Sequence, residues 1–200
     1  MVENTCKGRG RPRTFDNDAV LDKAIAVFWR KGFDGASLDD LSEAMGIGRP
    51  SIYCAFGDKD RLFMQCLNRY VATVCAPPLE RLLGSTDLKS AIYEFLSGFA
   101  ENATRDSEHP GCLLSVVAAT VVNPAVKSYV ASQFAQAESA IAQRLQTDVV
   151  AGALPPNFNS RLAARRVTDA ILSIGARAAH GAIREDLERD AHDVADLIFG

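Results

Sequence analysis

The stretch that decides the fold runs from Leu38 to Lys59 and reads LDDLSEAMGIGRPSIYCAFGDK. Ser37 lies directly before it, so its hydroxyl can cap a helix that opens the stretch, and Asp40 occupies the third helical position of a capping box. Gly46 follows the last residue of that helix and can adopt the left-handed backbone conformation of a sharp turn. The pattern therefore predicts a short helix that ends in a glycine turn.

A second short helix is predicted after this turn. Pro50 fits its first turn, where a missing N–H group costs nothing, and Ile52 and Phe56 lie four residues apart on the face that points inward. The other side chains are left toward solvent or a partner, and they are Arg49, Ser51, Tyr53 and Ala55. Two short helices joined by a glycine turn are typical of a helix-turn-helix motif. A helix pair that merely packs is the alternative interpretation.

In a helix-turn-helix motif the second helix enters the major groove, so the side chains at its start meet bases and phosphates. We expect Arg49 to contact a guanine edge or a phosphate, Ser51 to contact either, and Tyr53 to donate its hydroxyl to a phosphate. Lys59 begins the next helix and adds a cation beside exposed backbone N–H groups. The expected partner of this surface is double-stranded DNA.

The remainder of the chain is predicted to be helical, because apolar residues recur at helical spacing between clusters of Gly, Pro, Ser and Asp. One helix precedes the motif, from Phe15 to Lys31, and a long helix that starts at Lys59 is kinked or interrupted at Pro77 and Pro78. Later helices are predicted at Leu88–Ala103, Gly111–Val122, Pro124–Val150 and Ser160–Ala182, and from Arg184 or Asp186 to Phe199. The fold class is all-α, with about nine helices.

The formal net charge of −3 argues against indiscriminate binding of polyanions, but residues 7–13 hold four cations and no anion. Within them, Arg9-Gly10-Arg11-Pro12 has the form of an AT-hook core, whose two arginines flank a slim glycine and a stiff proline and fit a narrow A·T minor groove. Arg13 can add a phosphate contact. A charged, disordered tail is the alternative.

The composition, 48% hydrophobic and 24% charged, is that of a globular protein. We expect a cytoplasmic protein without a membrane partner, because the sequence has no run of about 18 apolar residues and its start lacks the apolar core of a signal peptide. The five cysteines are odd in number and form no C-x-x-C pair, which argues against a disulfide framework or a zinc site. No catalytic grouping or phosphate-binding loop is visible, so we expect no enzymatic activity, no cofactor and no metal.

From Ala24 to Lys59 the chain resembles the N-terminal domain of the TetR/AcrR family of bacterial transcriptional regulators, through the pattern A-x-x-x-F-x-x-x-G-F-x-x-x-S-L-D-D-L-S-E-A-M-G-I-G-R-P-S-I-Y-x-x-F-x-x-K. Gly111-Cys112-Leu113-Leu114 is similar to a helix start in many members. The resemblance implies a dimeric repressor whose C-terminal body binds a small molecule and thereby changes the spacing of two DNA-reading heads.

The DNA-binding residues that we expect are Arg9, Arg11, Arg13, Ser37, Arg49, Pro50, Ser51, Tyr53 and Lys59. The chain departs from the family pattern at Gly48, where members usually have a capping Ser or Thr, and at Cys54 and Ala55, which replace larger side chains. Fewer side chains of the second helix can therefore read bases, and specificity is expected to depend on the arm as well.

We expect three parts: a flexible basic arm at 1–14, a helix-turn-helix domain at 15–60, and an effector-binding and dimerisation domain at 61–200. Ligand pockets are mostly apolar with a few polar anchors. The pocket candidates are Tyr93, Phe95, Phe99, Cys112, Val116, Tyr129, Phe134 and Arg177. Small residues in the helix from Ser160 permit close approach across a symmetric interface, and the interface candidates are Val167, Ile171, Ile174, Ala178, Val194 and Leu197.

Cys112 supports an alternative signal. If Gly111 starts a helix, the helix dipole lowers the pKa of a thiol in its first turn, and a thiol exposed to a pocket would sense oxidants or electrophiles. If it is buried among its apolar neighbours, it is a small inert hydrophobe. A thiol-based regulator is thus the alternative to a small-molecule sensor, and a helical enzyme or ligand carrier with a vestigial DNA-binding head is the remaining one.

Overall fold

The computed structural model describes residues 15–200, apart from the side chains of residues 118 and 119. Over this range it contains ten α-helices, one π-helical segment and no β-strand, which confirms the all-α prediction. No helix in this range is long and apolar enough to cross a membrane.

In chain order the elements are α1 (Asn17–Gly35), α2 (Leu38–Met45), α3 (Arg49–Phe56), α4 (Lys59–Tyr70), the π-helical segment (Val71–Cys75), α5 (Ala76–Gly84), α6 (Leu88–Thr104), α7 (Leu113–Thr120), α8 (Pro124–Val150), α9 (Ser160–Ala179) and α10 (Arg184–Phe199). Because α4, the π-helical segment and α5 follow one another without a break, the described residues form nine continuous helical stretches. The backbone of α1 is non-helical at Gly32, close to the predicted end of this helix.

Two compact units divide the chain, one ending at Ala72 and the other comprising Thr73–Gly200. The sequence-based boundary at residue 60 differs because α4 packs against α1 and belongs to the first unit. Helix α4 buries Leu62, Phe63, Cys66, Leu67 and Tyr70. The ring of Phe63 lies 4.7 Å from that of Phe28 and 5.0 Å from that of Phe33, centroid to centroid, at the centre of this unit.

Pro77 and Pro78 lie in the first turn of α5, directly after the π-helical segment. A proline has no N–H group to donate to the carbonyl four residues back, so the regular hydrogen-bond ladder cannot pass through this point. The chain accommodates this loss with a wider π turn rather than a break. The predicted kink or interruption is therefore a π-helical segment within a continuous helical stretch.

An apolar core of the second unit is formed by α6, α9 and α10 with α8 against them. Apart from alanines, its most deeply buried side chains are Ile92, Leu96, Ile141, Leu145, Val167, Ile174 and Leu187. Arg144 of α8 donates from Nε to the carbonyl of Leu83 at 3.0 Å and from Nη2 to that of Ser85 at 2.6 Å. A guanidinium group at this position satisfies carbonyl groups at the end of α5 and complements the helix dipole.

Helix α7 approaches α9 at a pair of glycines. Gly111 has a φ of +86°, and a Cβ atom added to it would lie 2.7 Å from the carbonyl oxygen of Gly175. Only glycine fits this backbone and this spacing without strain. The helix begins at Leu113 with Cys112 as its N-cap, so the prediction that it starts at Gly111 was wrong, because the positive φ is not helical.

We predict that Gly111→Ala lowers the free energy of unfolding by roughly 2 kcal/mol, because the new Cβ is strained at positive φ and meets the Gly175 carbonyl. Gly98→Ala within α6 is the control, since nothing lies within 4 Å of its Cβ position. That variant should be stabilised by about 0.5 kcal/mol or more. Urea unfolding followed by circular dichroism measures the free energy of unfolding of both variants. Equal changes in the two variants would contradict the close approach of Gly111 to the Gly175 carbonyl.

Candidate nucleic-acid interface

Helix α2 is held at its start by the predicted capping box. The Ser37 hydroxyl accepts a hydrogen bond from the Asp40 N–H at 3.1 Å, and Asp40 Oδ2 accepts from the Ser37 N–H at 3.0 Å and from its hydroxyl at 2.7 Å. Lys31 Nζ lies 2.6 Å from Asp40 Oδ1. The hydrogen bonds from Lys31 and then Ser37 hold the pKa of Asp40 below its ordinary value. The Ser37 hydroxyl is therefore already part of the cap.

The turn between α2 and α3 is closed by backbone hydrogen bonds. Gly46 has φ +69° and ψ +24°, the left-handed conformation that the sequence predicted, and its N–H lies 3.1 Å from the Ser42 carbonyl and 3.2 Å from that of Glu43. The Ser42 hydroxyl donates to the Ile47 carbonyl at 2.7 Å. The turn thus fixes the direction in which α3 leaves α2.

Helix α3 buries two side chains and exposes the face that was predicted to meet DNA. Ile52 is 0% exposed and Phe56 is 4% exposed. Tyr53 is 51% exposed, whereas Cys54 is half-buried. The remaining exposed residues of this face are Arg49, Pro50, Ser51 and Ala55. Gly48, the N-cap, provides no side-chain hydrogen bond, as its lack of a side chain requires.

Arg49 has an acidic partner that the sequence analysis missed. Its Nε donates to Asp39 Oδ1 at 2.7 Å, and its Nη2 forms a salt bridge with Asp39 Oδ2. Both side chains are exposed, and exposed ion pairs contribute only about 0.2–1 kcal/mol. The Asp39 carboxylate therefore positions the guanidinium at the start of α3 but can be exchanged for a phosphate or a guanine edge at little cost.

Lys59 also has an unpredicted neighbour. Its Nζ lies 4.6 Å from the ring centroid of Phe33, a cation–π contact, and the side chain is half-buried. Lys59 is the first residue of α4, whose N-cap is Asp58. The aromatic ring holds the ammonium group at the start of that helix, which is the position that the sequence predicted for a phosphate contact.

The described part of the first unit, residues 15–72, holds seven Lys and Arg residues against nine Asp and Glu residues. Lys31, Arg49 and Arg69 of these form ion pairs with carboxylates of the same unit. Arg9, Arg11 and Arg13, which were predicted to contact DNA, lie outside the described residues. The acidic balance of residues 15–72 leaves the four cations of residues 7–13 as the main local source of positive charge.

The predicted pocket residues fall in different environments of the second unit. Phe95, Phe99 and Phe134 are half-buried and pack against its core. Phe95 also lines a groove of about 460 Å³ beside α5 and α6, together with Arg81, Glu94 and Asn102.

Tyr93 and Arg177 are exposed. The Tyr93 ring meets His192 edge-on at 5.7 Å between centroids, and Arg177 forms a salt bridge with Asp190. These two side chains contact α10.

Of the other three predicted pocket residues, Cys112 and Tyr129 lie near a second thiol, that of Cys75. Cys112 is 2% exposed, and a hydrogen bond with its thiol, followed by burial, raises the pKa of the Cys75 thiol. Tyr129 is half-buried, and burial followed by the charge of Cys75 raises the pKa of its phenol. Val116 is half-buried on α7. No pattern in the sequence connects Cys75 with Cys112, because they lie on separate helical stretches. Within residues 15–200 no three His, Cys, Asp or Glu side chains are grouped to hold a metal.

Four of the six predicted interface residues are buried within the single chain. These are Val167, Ile171, Ile174 and Ala178. Val194 is half-buried, and Leu197 is 63% exposed. The small residues of α9 therefore pack against the core of their own unit, and Leu197 leaves apolar surface exposed.

Comparison with known proteins agrees with a helix-turn-helix in the first unit and with the all-α fold. The family model described as bacterial regulatory proteins, tetR family, matches residues 20–66. The chain is 31% identical over 185 residues to the HTH-type transcriptional repressor ComR of Escherichia coli K12. The aligned region covers 90% of this chain and 88% of ComR. It is 37% identical over 103 residues to the HTH-type transcriptional repressor BdcR of the same organism, covering 52% of this chain and 51% of BdcR.

Among solved structures, a cysteine mutant of the TetR family transcriptional regulator CifR, complexed with 26-base-pair double-strand operator DNA, matches with a TM-score of 0.85. The two sequences are 28% identical, and the match covers 93% of this chain and 98% of CifR. The fold similarity therefore extends over both units.

We predict that Asp39→Asn tightens DNA binding about two- to fivefold, because Arg49 no longer exchanges a carboxylate for DNA. The slope of log K against log salt should steepen by about one, since one more cation is available to phosphate. Fluorescence anisotropy, with a duplex selected by the wild-type protein from a random library, measures both quantities. Asp34→Asn is the control, because it removes an equal charge from an exposed residue that forms no ion pair among the described residues. Equal effects of the two variants would refute a specific role for Asp39.

Proposed function

Because the chain belongs to the TetR family of bacterial transcriptional regulators, we propose that it is a repressor that binds a palindromic operator as a homodimer and is released by a small-molecule effector. The observation that carries the proposal is the exposed face of α3, which two buried side chains hold outward. The similarity to ComR, a transcriptional repressor, along 90% of the chain supports repression as the outcome. The complex of CifR with operator DNA supports duplex DNA as the partner.

In the proposed complex α3 lies in the major groove. Arg49 and Ser51 contact base edges or phosphates, with Pro50 between them at the surface, and Tyr53 and Lys59 contact phosphates. Each of these side chains is at least partly exposed on the first unit. Ser37 is exposed as well, and its hydroxyl can accept a further hydrogen bond beside the capping box.

The basic arm is proposed to enter an A·T-rich minor groove through Arg9 and Arg11, with Arg13 on a phosphate. The acidic balance of residues 15–72 supports this assignment, because the arm then provides most of the attraction to the phosphate backbone. Two heads of a dimer would read half-sites separated by about one turn of DNA, roughly 34 to 36 Å.

For the second unit we propose dimerisation through the outer faces of α9 and α10, which carry the exposed Leu162 and Leu197. An effector would bind in this unit, and the groove beside Phe95 has a volume within the usual range of ligand sites. Effector binding would favour a conformation in which the spacing of the heads no longer matches the operator. By linkage, DNA must then weaken effector binding by the same factor.

Oxidation of a thiol is the second candidate signal. The influence of Cys112 on Cys75, whose pKa it raises, is what favours this signal, because a neighbouring thiol gives an oxidised cysteine a reaction partner, whereas the burial of Cys112 favours the inert alternative.

The proposal is tested first by a genomic footprint, which should recover a two-fold symmetric site. On a duplex of that sequence we predict that Tyr53→Phe weakens binding about tenfold, because it removes one hydrogen bond to a charged phosphate. Tyr93→Phe is the control, since it makes the same change on an exposed residue of the second unit. Binding of Tyr53→Phe at wild-type strength would remove Tyr53 from the interface.

We predict that deletion of residues 1–13 weakens binding and reduces the salt slope by about three to four, because four cations no longer release counterions. Titrations at several salt concentrations measure the slope. Duplexes with A·T or G·C flanks distinguish insertion into the minor groove from plain charge. If the intact protein shows no preference for A·T flanks, the arm acts through charge alone.

A further inference from the structure

We propose that the groove between α5 and α6 binds a small apolar zwitterion, of the class of dipeptides with free ends and apolar side chains. The groove has a volume of about 460 Å³ and is bounded by these two helices and the turn that joins them, within the second unit. The role of such a ligand as the effector rests on the proposed function, whereas its binding does not.

Each helix contributes one stripe of residues to the groove. On α6 the stripe contains Glu94, Phe95 and Gly98, whose spacing of three and four residues places them on one face. On α5 it contains Arg81 and Leu82. Leu82 is 3% exposed and Phe95 is half-buried, whereas Arg81 and Glu94 are exposed. The groove therefore has an apolar base and a charged rim.

The rim has one positive and one negative charge on opposite walls. Arg81 and Glu94 form no ion pair or side-chain hydrogen bond with each other or with other residues of the described range, 15–200. A ligand that covers the groove removes water from both side chains, so it must offer a carboxylate to Arg81 and an ammonium group to Glu94. A ligand with a single charge would leave the other rim charge unpaired. The groove is thus complementary to a zwitterion with an apolar body.

Gly98 makes room for the apolar body of the ligand. It lies within α6, where a glycine is less favourable than an alanine, and its φ is not positive. Nothing lies within 4 Å of its missing Cβ, so packing within the chain does not require a glycine here. The space instead belongs to the groove and extends its apolar base beside Phe95.

Hydrogen bonds hold the end of the groove at the turn between α5 and α6. Ser85 lines this end, and its carbonyl accepts from Arg144 Nη2 of α8 at 2.6 Å. Arg144 also pairs with Asp148. Asp87 caps α6 by accepting from the Ser90 N–H at 3.2 Å. The walls are therefore fixed before a ligand binds, which lowers the entropic cost of binding.

The arrangement of the rim favours a dipeptide over a single amino acid. In an amino acid the ammonium and carboxylate groups share one carbon atom, whereas a peptide unit separates them in a dipeptide. Packed helices lie about 8–10 Å apart between axes, so the longer ligand is better able to reach both walls. Asn102 also lines the groove, and its Oδ1 accepts a hydrogen bond from Arg105. Its amide N–H groups can therefore donate to the carbonyl of the peptide unit.

A ligand held by Arg81 and Glu94 links α5 to α6. Helix α5 continues through the π-helical segment into α4, which belongs to the first unit. The bound ligand would thus restrict the helical stretch that connects the two units. Under the proposed function we expect a saturating dipeptide to weaken operator binding about tenfold.

The test titrates L-leucyl-L-phenylalanine into the intact protein by isothermal titration calorimetry, and we expect one molecule to bind per chain. Its N-acetyl form lacks the ammonium group and its C-terminal amide lacks the carboxylate, so each should bind about three- to tenfold more weakly. Leucine and decanoate should also bind more weakly than the dipeptide. If the dipeptide does not bind, or if leucine or decanoate binds as tightly, the proposal is overturned.

Two variants assign the ends of the ligand to the two walls. In Glu94→Gln the N-acetyl form should bind as tightly as the unmodified dipeptide, because the partner of the ammonium group is gone. In Arg81→Ala the same should hold for the C-terminal amide. Glu80→Gln is the control, since Glu80 is exposed on α5 outside the groove, and it should behave as the wild type. Variants that still discriminate the blocked forms as the wild type does would overturn the assignment.

Gly98→Leu tests the place of the apolar body. Because the Cβ position is open, this variant should be as stable as the wild type or more stable, while its side chain fills the groove and reduces dipeptide binding at least tenfold. Dipeptide binding at wild-type strength would exclude the groove as the site. A dipeptide that binds without changing operator affinity would refute its role as effector. A protein that binds no DNA would refute the proposed function and leave the binding result intact.

Discussion

A helix of eight residues does not persist in water by itself, so the surface presented by α2 and α3 depends on the side chains that they bury. Leu41 and Met45 anchor α2, and Ile52 and Phe56 anchor α3. The capping box and the glycine turn determine where α2 begins and in which direction α3 leaves it. The apolar contacts stabilise both helices. The DNA contacts proposed for α3 inherit their positions from these four side chains.

Sequence reasoning succeeded where the determining interactions are local. Caps, glycine turns and prolines act within a few residues. They correctly predicted that α2 begins at Leu38 and that α8 runs from Pro124 to Val150. It missed the neighbours of Arg49 and Lys59, because Asp39 and Phe33 reach them only after helices have packed.

The pocket and interface residues show the same limit more strongly. A Val or Ile at helical spacing indicates which face of a helix is apolar, but it does not indicate whether the chain itself or a second copy covers that face. Val167 and Ile174 are covered by the chain itself, whereas Leu197 at the end of α10 is not. Cys75 was missed for a related reason, since only tertiary packing gives it the influence of Cys112 and the burial that raise the pKa of its thiol.

The backbone N–H groups at the start of α3 limit which groups of the proposed DNA-binding surface can hold a phosphate. Pro50 has no N–H group, and the N–H of Ser51 lies 2.8 Å from the Gly48 carbonyl, so the first turn satisfies most of its own donors. Within residues 49–52, a phosphate that approached this helix end would meet the N–H of Arg49 rather than several backbone donors. Side chains, not the main chain, must then carry the contact. Point substitutions can therefore alter the preferred sequence step by step without changing the backbone, which makes this surface readily adaptable during divergence from a common ancestor.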